Sequence, residues 1–208
     1  MKITDDFNWE TYPQHYEGEI HDNLNKHGNP MLLKNFIILN GELVIEDNLH
    51  ENWKEIHNQI FKLKVKSIFE CGCGSAHGLM NNQKINPNLI VNGCDYSQSQ
   101  IDLGHMYWGL GNYEFAKRLK VVDMTNVEDI SSLGKHEFVY TQAVTMHLAY
   151  ERAKKFLFNM KELSNKYIFL VENVTSHDYN ALISEVFPEF ERIMDYKYIN
   201  YDILLKRK

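Results

Sequence analysis

The spacing of apolar residues changes near residue 64, and the two patterns predict different elements. Before that position, short apolar runs at residues 36–39 and 43–45 flank the dipeptide Asn40-Gly41. Both central positions of a tight hairpin turn need positive φ, which Asn and Gly adopt readily, so these runs predict a β-hairpin. Residues 49–63 then place apolar side chains at helical spacing, which predicts an amphipathic helix.

From residue 65 onward, short apolar runs alternate with helical patterns. The runs cover residues 65–69, 89–94, 119–122, 137–140 and 167–171. A helix capped by Ser97 or Ser99 is expected after the second run, and a longer helix is expected over residues 148–163. Strands that alternate with helices favour a parallel sheet, because the crossovers are short and right-handed.

The chain ends with two more apolar runs, at residues 192–196 and 201–205, which only a few residues separate. This separation is too short for a helical crossover, so we expect an antiparallel hairpin at the sheet edge. The predicted fold is a doubly wound α/β domain over residues 64–208. Residues 1–63 are expected to form an N-terminal α/β cap.

Composition and length narrow the class of protein. The chain has 208 residues and a formal net charge of −6, a weak argument against a nucleic-acid partner because phosphate contacts dominate such binding. No apolar run approaches the roughly 20 residues of a membrane-spanning helix, and the N-terminus lacks the apolar core of a secretory signal. Three cysteines give no disulfide framework and favour a reducing compartment. We therefore expect a cytoplasmic protein without a membrane segment.

A glycine-rich turn follows the first predicted strand of the sheet. Residues 70–78 read ECGCGSAHG, and glycines at such a turn let the backbone approach a ligand because no Cβ intervenes. In a parallel sheet this turn lies at the carboxyl edge, where ligands bind. Two glycines alone could also form an ordinary tight turn, so the turn is a candidate site and no more.

Two carboxylates end the next two predicted strands. Asp95 lies 21 residues beyond Gly74, about where an acid accepts both hydroxyls of a ribose. Asp123 ends the third strand and is placed to meet an adenine at the same edge. Either acid alone could be a helix cap or a loop residue. Together with the turn, the two acids predict a site for a nucleoside cofactor.

The turn distinguishes between two classes of nucleoside cofactor. The dinucleotide fingerprint GxGxxG, counted from Gly72, needs a glycine at position 77, where this chain has His77. Glu70, before the first glycine, would repel phosphates but suits a cofactor that carries an amino group and a sulfonium. The pattern therefore favours S-adenosylmethionine over a nicotinamide cofactor.

Residues 65–208 resemble the class I methyltransferases. Their first motif, an acid followed by xGxGxG, is similar to residues 70–76, with Ala76 at the third glycine position. The closing antiparallel hairpin is also typical of these enzymes. The resemblance implies a mixed seven-stranded sheet and S-adenosylmethionine as cofactor. It implies a cofactor site formed by Glu70, Gly72, Gly74, Asp95, Tyr96, Asp123, Met124 and Gln142.

The resemblance also assigns roles within this set. Asp95 would bind the ribose, and Tyr96 would lie beside the adenine. Asp123 and Met124 would bind the adenine, and Gln142 would hold the methionine portion of the cofactor. S-adenosylhomocysteine would be the product.

The segment after the fourth strand carries a candidate base. It lacks the Asn/Asp-Pro-Pro-aromatic motif of nucleobase methylases, and residues 144–148 resemble the segment of small-molecule methyltransferases in which a His often occurs. Transfer to an oxygen acceptor benefits from a base of near-neutral pKa, so His147 is the candidate catalytic residue. A His that packs or caps at the helix start is an equal alternative. Glu172, after the fifth strand, is a weaker candidate near the acceptor, since such acids more often cap helices.

The N-terminal cap holds four candidate acceptor-binding residues: Tyr12, His15, Tyr16 and His21. They could form a lid over the cofactor, although for each one packing of the cap onto the core is the more common role. The histidines match no compact set of metal ligands, and the cysteines at 71 and 73 lack CxxC spacing. No metal is therefore expected.

The expected function is methylation of a small polar acceptor, at oxygen rather than nitrogen, for example of a glycan precursor or a similar biosynthetic intermediate. Three alternatives stay open. A protein or RNA methyltransferase would show a basic or elongated groove, and a nicotinamide-dependent reductase would give a spectral change with the reduced cofactor. A binding module would keep the cofactor pocket without catalysis.

Overall fold

The computed structural model describes residues 33–208, except 48, 110–111, 129, 173–174 and 198–200, with the backbone alone at 195–197 and 201. Its first two strands, β1 (Phe36–Leu39) and β2 (Glu42–Ile45), form an antiparallel hairpin. Asn40 and Gly41 make the turn with φ angles of 53° and 82°. The hairpin predicted from the Asn-Gly pair is therefore present.

The following helix, α1 (Glu51–Leu63), begins after the cap residue His50, whose ring Nδ1 accepts a first-turn amide at 3.2 Å. It ends at Lys64, which adopts a left-handed φ of 52°. Ile56 and Ile60 face inward and belong to the same apolar cluster as the central sheet. The predicted helix is present, and the division of the chain at residue 63 stays a prediction.

Seven further strands form the central sheet: β3 (Ser67–Cys71), β4 (Ile90–Asp95), β5 (Leu119–Val121), β6 (His136–Gln142), β7 (Ser164–Glu172), β8 (Phe190–Lys197) and β9 (Tyr201–Arg207). Their order across the sheet is β5-β4-β3-β6-β7-β9-β8. Strands β3 to β7 pair in parallel, whereas β9 pairs antiparallel with both β7 and β8. The mixed seven-stranded sheet and its closing hairpin are therefore confirmed.

Helices connect these strands: α2 (His77–Ile85), α3 (Gln98–Gly104), α4 (Tyr113–Ala116), α5 (Tyr150–Leu163) and α6 (Tyr179–Val186). A π-helical turn, His105–Gly109, follows α3, and 3₁₀ turns cover Ile130–Leu133 and Thr145–His147. Ser97 caps α3, because its hydroxyl accepts the Gln100 amide at 3.2 Å, as predicted. α4, α6, the π-helical turn and the two 3₁₀ turns have no counterpart among the predicted elements.

The sheet has an apolar core on each face, as expected of a doubly wound fold. On one face Ile68 and Tyr140 pack with α1, α2 and α3, and on the other Phe69 and Ile168 pack with α5 and α6. The order of the strands reverses between β3 and β6, which places a ligand crevice at the carboxyl ends of these strands. No helix in the described part of the chain is long and apolar enough to cross a membrane.

Candidate active site

A cavity of about 260 Å³ lies at the carboxyl edge of the sheet, beyond the ends of β3, β4, β5 and β6. The first turns of α5 line one side of it. Its walls consist of Gly72, Gly74, Asp95, Tyr96, Gln100, Val122, Asp123, Met124, Thr125, Gln142, Ala143, Val144, His147, Leu148, Arg152 and Phe156.

The cavity brings together most of the residues that the sequence singled out. The predicted residues that line it are Gly72, Gly74, Asp95, Tyr96, Asp123, Met124, Gln142 and His147. Glu70 and Glu172 are buried and are not among the lining residues. The predicted lid residues Tyr12, His15, Tyr16 and His21 lie outside the described residues. Their shared cavity makes the lining residues a candidate ligand site, and the role of each stays a prediction.

The glycine turn, residues 72–76, forms one side of the cavity. The amides of Gly72 and Cys73 both donate to the Cys94 carbonyl oxygen, at 2.8 and 2.9 Å, which fixes the turn to β4. Gly72 has a φ of 79°, and a Cβ there would lie 2.4 Å from Cγ2 of Val144 on the opposite wall. Only glycine therefore fits at this position. Ala76, at the third glycine position of the motif, also adopts a left-handed φ of 65°, although it carries a Cβ.

Asp95 is oriented by the backbone on both sides of its carboxylate. Oδ2 accepts the Gly74 amide at 2.8 Å, and Oδ1 accepts the Ser97 amide at 2.9 Å. A carboxylate oxygen can accept more than one hydrogen bond, so each oxygen can still receive a ligand hydroxyl. The geometry suits a pair of adjacent hydroxyls such as those of a ribose.

Within the described residues, Asp123 accepts hydrogen bonds on one oxygen only. Its Oδ1 accepts the amide of Thr125 at 2.8 Å and the hydroxyl of the same residue at 2.7 Å. A ligand amino group can therefore use Oδ2 without displacing either bond. The buried side chain of Met124 follows, and Leu148 and Phe156 add apolar wall. This part of the cavity combines one acceptor with an apolar slot, as an adenine requires.

Gln142 and Ala143, at the end of β6, have two unusual features: a buried oxygen without a described partner and a positive φ. Gln142 Oε1 is buried and has no hydrogen-bond partner among the described residues. Buried polar atoms are nearly always hydrogen-bonded, so this oxygen suits a donor that arrives with a ligand. Ala143 adopts a left-handed φ of 54° and lines the cavity. Strained backbone of this kind often occurs at functional sites.

His147 ends the 3₁₀ turn that follows Ala143 and lines the cavity. Its amide donates to the Val144 carbonyl oxygen at 3.0 Å, which closes the turn. Burial lowers the pKa of His147 below the ordinary value, so the ring is neutral at pH 7. A neutral imidazole at the wall of the cavity can accept a proton.

Glu70 lies behind the glycine turn instead of in the cavity. The hydroxyl of Tyr140 donates to its Oε2 at 2.9 Å. Burial, together with the nearby charge of Asp95, raises the pKa of Glu70 to about 8 despite this bond. The carboxyl group is therefore mostly protonated at pH 7. The expected repulsion of phosphates depended on a charged Glu70, and this protonation state does not support it.

Several wall residues were not predicted from the sequence: Gln100, Val122, Thr125, Ala143, Val144, Leu148, Arg152 and Phe156. Arg152 and Phe156 are four residues apart on the first turns of α5 and so share one helix face. Because α5 begins at the carboxyl edge of the sheet, that spacing is a signal that could have found them. Arg152 also donates to the Thr125 hydroxyl at 3.3 Å, which ties the helix to the wall.

Comparison with known proteins extends the description of the fold. No protein-family model matches the chain, and no curated protein sequence matches it. Among solved structures, it is similar to magnesium protoporphyrin IX methyltransferase (ChlM) from Synechocystis PCC 6803 with bound SAM. The TM-score is 0.63 at 13% sequence identity, over 76% of this chain and 79% of that chain.

Two more solved structures match over nearly the whole chain. The N-terminal domain of EvdMO1, crystallised in the presence of SAH and D-fucose, has a TM-score of 0.56 at 12% identity, over 97% of this chain and 99% of that one. The plantazolicin methyltransferase BpumL, in complex with SAH, has a TM-score of 0.56 at 12% identity, over 95% and 92%. The chain therefore has the fold of the class I S-adenosylmethionine-dependent methyltransferases, as its sequence resemblance implied.

Proposed function

We propose that the protein is an S-adenosylmethionine-dependent methyltransferase that acts on a small polar acceptor, with oxygen as the methylated atom. One observation carries this proposal: a single cavity collects the glycine turn, Asp95, Asp123 and the neutral His147. The sequence motifs and the fold support the same cofactor independently of this cavity. S-adenosylhomocysteine is then the product.

The polar groups of the cavity match the parts of this cofactor. Asp95 accepts the two ribose hydroxyls, because both of its oxygens are already oriented by backbone amides. Asp123 accepts the adenine amino group through Oδ2, with Tyr96 and Met124 beside the ring. The unpartnered Oε1 of Gln142 accepts a hydrogen bond from the ammonium of the methionine portion. Glu70 lies behind the turn, where the Tyr140 hydroxyl donates to it, and does not line the cavity.

The reaction requires an acceptor held in line with the methyl group and away from water. When bound, S-adenosylmethionine would supply the methyl group from its positively charged sulfur, and the sulfur would leave as the neutral thioether of S-adenosylhomocysteine. Val144 and Leu148 provide an apolar wall that excludes water beside His147. His147 takes the proton of the acceptor hydroxyl as the new bond to oxygen forms. The neutral state that burial favours for His147 at pH 7 is the state that this step needs.

A hydroxyl-bearing intermediate such as a glycan precursor is the acceptor we propose. The solved structure crystallised in the presence of D-fucose supports a sugar-like compound. The buried, unpaired cysteines Cys71, Cys73 and Cys94 are compatible with the cytoplasmic location expected from the sequence.

Calorimetric titration with S-adenosylhomocysteine, beside the same titration with NADH, tests the cofactor. We expect saturable binding of the first compound alone. Asp95→Asn should weaken that binding by about tenfold or more, because an amide cannot accept on both sides. Asp102→Asn is the matched control, since Asp102 lies on the exposed side of α3 and bonds only to Gln98 in the described structure. Binding of NADH alone would contradict the proposal.

A further inference from the structure

The 3₁₀ turn that carries His147 is bound by a carboxylate outside the cavity. Glu172, at the end of β7, is 1% exposed. Its Oε1 accepts the amides of Val144 and Thr145, both at 3.2 Å, and its Oε2 accepts the amide of Met146 at 3.3 Å. One buried side chain thus accepts hydrogen bonds from three consecutive backbone amides that donate to no other group within the turn.

Thr145, the first residue of this turn, is held by two more groups. Its hydroxyl lies 2.9 Å from the hydroxyl of Tyr179, and its carbonyl oxygen accepts from Nε2 of His177 at 2.9 Å. Thr145 is 0% exposed, so these bonds lie in the protein interior. Ser176 in turn contacts the Tyr179 hydroxyl at 3.1 Å. The amide, the hydroxyl and the carbonyl of one residue are all bound by side chains from β7 and the segment after it.

The position of this turn sets two features of the cavity. Val144 packs directly against Gly72, so closely that a Cβ on Gly72 would lie 2.4 Å from its Cγ2. His147, at the end of the same turn, lines the cavity beside it. A shift of the turn would therefore change both the width of the cavity and the place of the imidazole.

Burial of a carboxylate is energetically unfavourable unless it accepts several hydrogen bonds. Both oxygens of Glu172 accept amides of the turn. Burial raises the pKa of Glu172 to about 7, and the backbone amides of residues 144–146 oppose that rise. The sequence suggested either an acceptor contact or a helix cap for Glu172. The helix that follows, α6, is capped by Asp178 instead. Glu172 therefore does not cap the helix that follows it, and a contact with the acceptor stays a prediction.

We infer that Glu172 is a positioning residue, whose carboxylate anchors residues 144–146 and thereby sets the place of His147 and of the Val144 wall. The inference rests on the proposed function for the role of His147 in proton transfer. The anchoring itself rests only on the contacts of Glu172, so the two can be tested separately.

Glu172→Gln tests the anchoring, because the amide side chain keeps the size but replaces one acceptor oxygen with a donor. In the ligand-free protein, we expect hydrogen exchange at the amides of residues 144–146 to accelerate by about tenfold or more, with little change in the strands of the core. The pKa of the His147 ring, followed by NMR, should move as its surroundings loosen. A purely structural role would instead accelerate exchange throughout the core.

Asp202→Asn is the matched control. Asp202 pairs with Val171 on the neighbouring strand, is also buried, and has its pKa raised by burial to about 6, with the nearby Glu55 adding to the rise. It makes no bond to the turn among the described residues, so exchange at residues 144–146 should stay unchanged in this variant. Equal acceleration in both variants, or none in Glu172→Gln, would overturn the inference.

If Glu172→Gln does not fold, Tyr179→Phe can be used in the same hydrogen-exchange experiment. It removes one hydroxyl that contacts Thr145 and keeps the carboxylate, so the acceleration should be severalfold and centred on Thr145. No acceleration there would contradict the anchoring. Calorimetry of the unaltered protein tests the proposed function separately. Failure to bind S-adenosylhomocysteine would contradict that function, whereas hydrogen exchange in the ligand-free protein would still test the anchoring role of Glu172.

Discussion

The two sides of the cavity are held in place by different means. The glycine turn is held through its own backbone, by positive φ angles and by bonds from its amides to Cys94 and Asp95 on β4. The facing segment, residues 143–148, is held by side chains that follow it in sequence by 26 to 34 residues, namely Glu172, His177 and Tyr179. The side that we propose binds the cofactor is thus held by backbone amides, and a short motif encodes the glycines that place them. The side that we propose acts on the acceptor depends on tertiary structure.

The largest effect that separates the two sides should come from His147→Ala. We expect turnover to fall by about 100-fold or more, while binding of S-adenosylhomocysteine stays within a factor of about two, because the imidazole serves the acceptor. The measurement is methyl transfer from labelled S-adenosylmethionine to a panel of hydroxylated acceptors, with calorimetry in parallel. His50→Ala, an exposed cap of α1, is the control. Unchanged turnover in His147→Ala would contradict the proposal that His147 is the base.

Gly72→Ala should affect both sides at once. The added Cβ meets Val144 and also has to adopt a φ of 79°, so we expect binding of S-adenosylhomocysteine to weaken by about 100-fold and the free energy of unfolding to fall by about 2–3 kcal/mol. Gly41→Ala has a similar φ of 82° but nothing within 4 Å of its Cβ, so it isolates backbone strain. Chemical denaturation and calorimetry of the two variants compare these effects. Equal losses in both would show that the close approach to Val144 is unimportant.

Glu70→Gln should change how stability depends on pH. The carboxyl titrates near pH 4.5 when unfolded and near 8 when folded, so the folded protein binds more protons across that range. Its contribution to stability is therefore present below about pH 4.5 and is lost as the pH rises to 8, on the order of a few kcal/mol. Chemical denaturation at pH 5 and pH 8 should show that the free energy of unfolding falls less between these pH values in the variant than in the unaltered protein. Glu114→Gln, on an exposed glutamate, should keep the full fall.

Ala143→Gly should have the smallest effect, and whether it raises or lowers the free energy of unfolding shows whether Ala143 is strained. Glycine adopts the φ of 54° without strain, so we expect the free energy of unfolding to rise by up to about 1 kcal/mol. Ala116→Gly, in the regular helix α4, should lower it by about the same amount. Thermal unfolding of both variants gives the comparison. A loss of stability in Ala143→Gly would mean that this alanine is not strained.

Local patterns explain which parts could be predicted from the sequence. The Asn40-Gly41 hairpin, the Ser97 cap and the acids at the ends of β4 and β5 each depend on a few neighbouring residues. α6 was missed because eight residues make only about two turns, too few to establish a helical period. The glycine turn already favoured the cofactor and the apolar runs already gave seven strands, and the resemblance to a known family supported both.

Contacts between distant residues explain what could not be predicted. The protonated state of Glu70 follows from burial and from Tyr140, 70 residues away in the chain. The hydrogen bonds of Glu172 to residues 144–146 exist because β6 pairs with β7 in the register that brings Gln142 beside Val171. No spacing along the chain encodes that register, so Glu172 could be named as a candidate but not given its contacts.

A crystal structure of the protein with S-adenosylhomocysteine tests the central claim most directly. The proposed site predicts both ribose hydroxyls within hydrogen-bond distance of Asp95 and the adenine amino group at Asp123. It also predicts the ammonium at Gln142 and the sulfur facing the side of the cavity that carries His147. Density for the ligand elsewhere, or in this cavity with its ribose away from Asp95, would contradict the proposed site.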